Sequence, residues 1–253
     1  MKTFEDNLSK NRLVYIWGGL SSVMYASILI CSIYLVVDSV EISDYMFGYS
    51  FEEPNYNVVI GILYVIDIVV FHMLPINIFS VFYVLVCHYL RRHLQKFKDN
   101  ISWTNPENLL DTYTCIKLTI ANIDDELSFL VFITMILNST FMYVSISMAF
   151  GDWSYGILTQ SIQNWLLFAT TFGSVVAISV SASLICDISH KIGTEAEFSF
   201  RNNLGSRYMQ LRFLMSAEKE IYMTAWKMLP IKGNFLLGTT TAIFSYVILF
   251  RDL

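Results

Sequence analysis

Charge is scarce in this sequence. Asp, Glu, Lys and Arg make up 15% of its 253 residues, against 55% hydrophobic ones. A water-soluble chain so poor in polar side chains could not cover its own surface, so the shortage points to a polytopic membrane protein. Basic residues are the scarcer sign: the net charge is −5, and Asp38 to Asn57 contains no Lys or Arg. A chain with no basic patch has little to hold a nucleic acid, and no nucleic-acid partner is expected. Cysteine is sparse as well. Cys31, Cys87, Cys115 and Cys186 show no CxxC spacing, and three of them lie in apolar runs, which argues for reduced or buried thiols over a disulfide framework. No metal and no cofactor is called for. A cleavable leader is also lacking, because Met1 to Arg12 is polar with mixed charge and the apolar run behind it is too long. The first span is expected to be retained.

What is present is a series of apolar segments. Tyr15 to Val37 is unbroken for 23 residues and carries a small-residue face of Gly18, Gly19, Ser21 and Ser22, enough to cross a bilayer. The acidic and aromatic stretch Asp38 to Asn57 follows. Val58 to Leu90 is too long for one perpendicular crossing and is interrupted by Asp67, His72, Pro75 and Asn77. A tilted or Pro75-kinked helix emerging at Arg91-Arg92-His93 accounts for the length. Asp67 reads either as an interfacial carboxylate or as a cavity residue. His72 reads either as a satisfied buried histidine or as a ligand contact.

Asn105 and Pro106 form a helix start. From there Leu109, Tyr113, Ile116, Ile120, Ile123, Leu127 and Leu130 recur at alternating spacings of four and three. The seam runs on into the apolar Ser128 to Phe150, so one helix of about 40 residues is expected to begin in water and end across the bilayer. Asp124, Asp125 and Glu126 read as its solvated face before entry. After the turn Gly151 to Gly156, Ile157 to Cys186 forms the next span, with Gly173, Ser174, Ser179, Ser181 and Ser183 as packing positions. Its exit is placed at Asp187 to Gly193, where Thr194 and Glu197 match a capping box opening a further helix. The last stretch, Gly233 to Leu253, is apolar but rich in small and hydroxyl residues: Gly238, Thr239, Thr240, Thr241, Ala242 and Ser245. Each hydroxyl needs a partner where water is absent, so this helix is expected to face protein or water. Close packing and a functional lining both fit.

The expected class is an all-α, polytopic transmembrane helical bundle of about five spans with cytoplasmic helix extensions. Residues 1–14 form a cytoplasmic N-terminus, 15–190 the first four spans with a cytoplasmic helix at 105–127, 191–232 cytoplasmic helices, and 233–253 the final helix. Of the 16 Lys and Arg, all but Arg251 fall in Met1 to Arg12, Arg91 to Lys117 and Lys191 to Lys232. By the positive-inside rule those regions and the N-terminus are cytoplasmic, and the C-terminus lies outside a plasma membrane.

The last forty residues carry a further signal in Thr224-Ala225-Trp226-Lys227-Met228-Leu229-Pro230, Thr239-Thr240-Thr241-Ala242-Ile243-Phe244 and Ser245-Tyr246-Val247-Ile248-Leu249-Phe250. These resemble the C-terminal region of arthropod gustatory receptors, in the superfamily that includes insect odorant receptors. His88-Tyr89-Leu90-Arg91-Arg92 at the inner end of a span adds to the resemblance. That family's last helix ends in Thr-Tyr, five hydrophobic residues and Gln-Phe. Here Ser245-Tyr246 replaces Thr-Tyr, Arg251 takes the fifth hydrophobic place and Asp252-Leu253 replaces Gln-Phe. Members of the family have two further spans ahead of these, so the chain corresponds to their last five and reads as an N-terminally shortened member.

The resemblance implies a taste receptor that is not an enzyme: a ligand-gated, non-selective cation channel subunit in a homo- or heterotetramer of related subunits. A small-molecule tastant would enter each subunit, the final helices would line a shared pore, and the cytoplasmic helices would join subunits. Carried over by motif, Ser245, Tyr246, Leu249, Asp252 and Leu253 are the pore and gate candidates. Asp67, His72, Trp153, Tyr155 and Trp165 combine aromatic and polar groups near the outer half and are the ligand-pocket candidates. The alternative is a multi-pass transporter using Asp67 and His72. An intramembrane aspartyl protease built on Asp67 and Asp152 is disfavoured, because Ala149 replaces the second signature glycine and no Pro-Ala-Leu follows.

Overall fold

The computed structural model describes residues 16, 18–20, 22–34, 54–101, 106–150, 158–201 and 207–251. Among them helix α1 lies within Gly18–Tyr34. It is followed by α2 (Pro54–Ile66), a π-helical segment Asp67–Met73, α3 (Leu74–Asp99), α4 (Pro106–Phe150), α5 (Leu158–Arg201) and α6 (Arg207–Glu218). A hairpin of two short strands, β1 (Thr224–Ala225) and β2 (Leu229–Pro230), then leads into α7 (Gly233–Arg251). Three of the helices contain stretches long and apolar enough to cross a membrane: Val69–Asp99, Asn108–Met148 and Ser161–Phe200. The chain is an all-α membrane protein with one two-stranded addition.

Local chemistry explains most boundaries. Pro75 has no N–H, and its ring collides with the carbonyl four residues earlier. The helix accommodates it by widening the preceding turns, so that Leu74 donates its N–H to the Val69 carbonyl, five residues back. The disturbance expected of Pro75 is thus a π-helical segment that starts at Asp67. The helix continues past Arg91-Arg92-His93. It runs to Asp99, because Leu90, Leu94 and Phe97 keep one of its faces buried.

In α4 the buried side does not follow the seam read from the sequence. Leu109, Tyr113 and Ile120 are buried, but the face then passes through Asp124, Ser128, Val131 and Met135, leaving Leu130 exposed. A seam of fours and threes repeats every 3.5 residues, whereas a straight helix turns every 3.6. Over two heptads that mismatch adds up to about 40°, and by Asp124 the buried stripe has passed to the next residue. The expected helix break before Thr194 is overturned too. α5 continues to Arg201, and the Thr194 hydroxyl donates to the His190 carbonyl of its own helix at 3.2 Å. Gly193 is a packing position within that helix: a methyl group there would meet the Ala217 carbonyl oxygen at 3.5 Å.

The chain divides into two compact units, and α3, α4, α5 and α7 contribute residues to both. The first unit comprises Met1–Phe82, Leu137–Ser174 and Thr241–Leu253. Its apolar core is Tyr25, Ile28, Val65, Val69 and Met73, with Phe141, Leu166 and Leu167 packed against them. Beside it, Asn138 donates to Ser174 at 3.2 Å and Ser174 shares a hydrogen bond of 2.7 Å with Ser80. These two hydroxyls and the Asn138 amide join α3, α4 and α5 where lipid offers no partner. The second unit comprises Tyr83–Ile136 and Val175–Thr240. Its core is aromatic: Phe97 lies 5.5 Å from Tyr113 and 6.3 Å from Phe213, and Phe213 meets Phe200 edge-on at 5.7 Å. One ring each comes from α3, α4, α5 and α6. All four cysteines are free.

Candidate functional site

The segment that delivers the chain into α7 is a hairpin tied to α4. Thr224 pairs with Pro230 and Ala225 with Leu229 in an antiparallel ladder. The turn between them is closed by Met228 N–H donating to Ala225 O at 3.2 Å. Its two central residues, Trp226 and Lys227, both have left-handed backbone, with φ of 51° and 55°. That is a type I′ geometry, which hairpins prefer because it matches strand twist and which normally recruits Asn-Gly. A side-chain-bearing residue there costs roughly 1–2 kcal/mol.

The compensation comes from α4. Asp124, 8% exposed, accepts hydrogen bonds from the Thr224 N–H at 2.7 Å and the Thr224 hydroxyl at 2.6 Å. Trp226 N–H donates to the Ser128 carbonyl at 2.8 Å. The indole lies 4.9 Å from the Phe132 ring and 5.9 Å from Phe129. Lys227 pairs with Asp125 at 2.8 Å, both more than half exposed. Burial pushes the Asp124 carboxyl up from its ordinary value, while the Thr224 hydrogen bonds pull the other way. Beyond the turn, Ile231 N–H returns to Met223 O at 3.0 Å and Lys232 pairs with Glu220 at 2.6 Å, which holds the Glu220 carboxyl below its ordinary value. Phe235 N–H then donates to Lys232 O, starting α7. The triplet Asp124, Asp125 and Glu126 is therefore not one solvated face: Asp124 is a buried acceptor, Asp125 an ion-pair partner, and only Glu126 is simply exposed.

Among the described residues, α7 is the barest helix. Of its described side chains only Ile243 is buried, and Leu237, Phe244, Ser245 and Ile248 are exposed. Two of its three threonines do not require an outside partner, which narrows the expectation drawn from their number. Thr239 donates to the Phe235 carbonyl at 3.0 Å and Thr240 to Leu236 at 2.8 Å, both in the same helix. Gly238 is open, since a methyl group there would meet nothing within 4 Å. The same holds for Gly18 and Gly19 on α1. Tyr246 and Leu249 fall in α7 with their side chains outside the described set, and Asp252 and Leu253 lie outside the described residues.

Of the pocket candidates, Asp67 and His72 are brought together by the π-helical segment. The His72 Nδ1 lies 3.9 Å from the Asp67 carboxylate and 3.4 Å from its carbonyl oxygen. Both side chains are more than half exposed, so His72 is not the buried, satisfied histidine of one sequence reading. Trp165 is exposed and sits edge-on to Phe168 at 6.0 Å. Trp153 and Tyr155 lie outside the described residues.

No protein-family model and no curated protein matches the sequence. Among solved structures, olfactory receptor OR5 of the insect Machilis hrabei in complex with eugenol aligns with a TM-score of 0.72 at 10% identity. The alignment covers 100% of this chain and 70% of that one. A second structure of the same receptor aligns with a TM-score of 0.70 at 13% identity, over 99% of this chain and 69% of that one. The chain has the fold of an insect olfactory receptor. The stretch that carried the sequence resemblance, Thr224 to Pro230, is the stretch that builds the Trp226-Lys227 hairpin. Sequence reasoning singled out those residues without finding their partner, Asp124. The available signal was Asp124 itself, an acid lying one residue off the apolar seam.

Proposed function

We propose that the chain is a subunit of a chemosensory receptor of the taste type: a ligand-gated, non-selective cation channel of the plasma membrane that assembles as a homo- or heterotetramer. The chain crosses the bilayer five times, with a cytoplasmic N-terminus, the C-terminus outside and the cation-rich segments on the cytoplasmic side. The observation that carries this reading is α7, an apolar helix of 19 residues that its own chain leaves almost uncovered. Such a helix needs lipid, water or other subunits around it. In a shared pore it would present Ser245, Tyr246, Leu249, Asp252 and Leu253, with the Asp252 carboxylates favouring cations at the outer mouth. The taste assignment rests on the motif resemblance between Thr224 and Phe250, and the full-length fold match supports the receptor reading. In this scheme the hairpin is the coupling. α4 grips it through Asp124, Asp125, Ser128 and Phe132, so a ligand-driven shift of α4 is passed to the first turn of α7.

The multi-pass transporter remains the second reading, supported by the exposed Asp67–His72 pair on irregular helix. Whole-cell recording from cells expressing the chain separates the two. A saturating cation current evoked by sugars or bitter compounds, and reduced in Asp252→Lys, is the expected result. Substrate uptake with no conductance would replace the channel by a carrier, and a response to volatile phenols such as eugenol but to no tastant would replace taste by odour.

A further inference from the structure

One exposed stripe of α3 changes character along the helix. Ile78, Phe82 and Tyr89 lie on it, and His93 and Lys96 continue it at helical spacing. A separate stripe, Tyr83, Cys87, Leu90, Leu94 and Phe97, is buried. The exposed stripe is therefore apolar as far as Tyr89 and basic beyond it.

The depth of that change is set by length. Asp67 and Arg91 bracket 23 residues that include no Asp, Glu, Lys or Arg. In helix these extend about 35 Å, slightly more than a hydrocarbon core of about 30 Å. Arg91 then stands among the head groups, with Tyr89 in the aromatic belt just above it. From Arg91 to Asp99 the helix carries Arg91, Arg92, Lys96 and Lys98, with His93 between them. Arg91, His93 and Lys96 are exposed, and Arg92 and Lys98 are half-buried. Lys98 is about 10 Å beyond Arg91 along the helix, close to one screening length of about 8 Å, so the group acts on the membrane surface together.

Nearby acids do not neutralise it. Asp99 accepts a hydrogen bond from the Gln95 amide at 2.8 Å. On α4, Asp124 holds Thr224 and Asp125 holds Lys227. Among the described residues, none of the α3 cations forms an ion pair, with Glu126 or any other acid.

We propose that the Arg91 to Lys98 segment of α3 binds anionic phospholipid of the cytoplasmic leaflet. Arg91, Arg92 and Lys96 take the phosphate oxygens, and Ile78, Phe82 and Tyr89 lie along an acyl chain. The proposal rests on the orientation given above. Four cations immediately inside a span match the density that recognises such lipids, and each strengthens binding about fivefold.

The test uses the full chain in mild detergent at low salt, exchanged against mixed micelles of phosphatidylcholine and phosphatidylserine, with the retained lipids measured by mass spectrometry. The chain should retain phosphatidylserine preferentially. Arg91→Gln/Lys96→Gln should lower that preference about 25-fold, whereas Arg207→Gln/Arg212→Gln, which removes two exposed cations of α6, should leave it unchanged. About 1 M salt should abolish it in the unsubstituted chain, a result that does not depend on how a variant folds. Equal retention of both lipids, or an equal loss in the α6 variant, overturns the proposal. So does displacement by soluble glycerophosphoserine at the concentration of the lipid, which would make the ligand a free phosphate. Orientation is measured separately. Lys96→Cys in a Cys115→Ser chain should react with an impermeant maleimide only after cells are permeabilised. Labelling of intact cells overturns the orientation and the leaflet assigned with it, while correct labelling without lipid preference overturns the lipid site alone.

Discussion

Thr224→Val removes one hydroxyl and almost nothing else, so it isolates the grip of α4 on the hairpin. The hydroxyl donates at 2.6 Å to an Asp124 carboxylate that is 8% exposed. A hydrogen bond to a charged group contributes roughly 1.5–3 kcal/mol, and the oxygen left behind has little water to turn to. A loss of about 2 kcal/mol is expected, which for a domain of this size lowers the melting midpoint by about 4–8 °C. The same substitution on α7 supplies the control. The Thr239 hydroxyl donates to a carbonyl of its own helix at 3.0 Å, and such back-bonding adds little or is slightly unfavourable. Thr239→Val should melt within about 1 °C of the parent. Thr224→Ser keeps the donor and should retain most of the parent midpoint. The assay is thermal unfolding of the purified chain in one detergent, followed by fluorescence. If Thr224→Val and Thr239→Val melt together, or Thr224→Ser falls as far as Thr224→Val, the hydroxyl holds nothing and the latch is not as described.

Two further substitutions test backbone arguments by the same assay. Lys227→Gly loses an exposed ion pair that contributes little but relieves a φ of 55°, so the midpoint should rise by about 2 °C, and a fall would show that the ion pair outweighs the strain. Gly193→Ala places a methyl group at an ordinary 3.5 Å from the Ala217 carbonyl oxygen inside an unbroken helix, and should stabilise by about 0.5–1 kcal/mol. A loss there would mean that α5 and α6 approach more closely than that distance indicates.

The sequence carries the architecture because the signals that specify it are long. A chain with so few charges has little choice of solvent, and its apolar runs far exceed the length of a soluble core helix. Errors gather where a short signal competes with a long one. Thr194 and Glu197 match a capping box, but the helix around them is continuous, and a threonine whose hydroxyl can return to the carbonyl of His190 needs no helix start to be satisfied. Gly193 reads as a stop in isolation, yet a glycine facing another helix is as much a packing residue as a breaker. Pro75 announces a disturbance correctly. Its form as a π-helical segment, and the pairing of Asp67 with His72 that follows from it, depend on where the widened turns settle, which composition does not encode.

The hairpin was hidden for a different reason. Turn rules favour Asn-Gly at two successive left-handed positions, and Trp226-Lys227 is a poor candidate by those rules. Its conformation is held by contacts to a helix about a hundred residues earlier in the chain: the Asp124 carboxylate, the Ser128 carbonyl and the Phe132 ring. Asp124 was missed because a 3.5-residue seam extrapolated along a 3.6-residue helix loses its phase. The extrapolation buries Ile123 and Leu127, while the straight helix buries Asp124 and Ser128 and leaves Ile123 and Leu127 only half-buried. A phase error of one residue is harmless where every neighbour is apolar. Here it turns a solvated acid into the acceptor that holds a strained turn, and so conceals the connection between the longest helix and the last one.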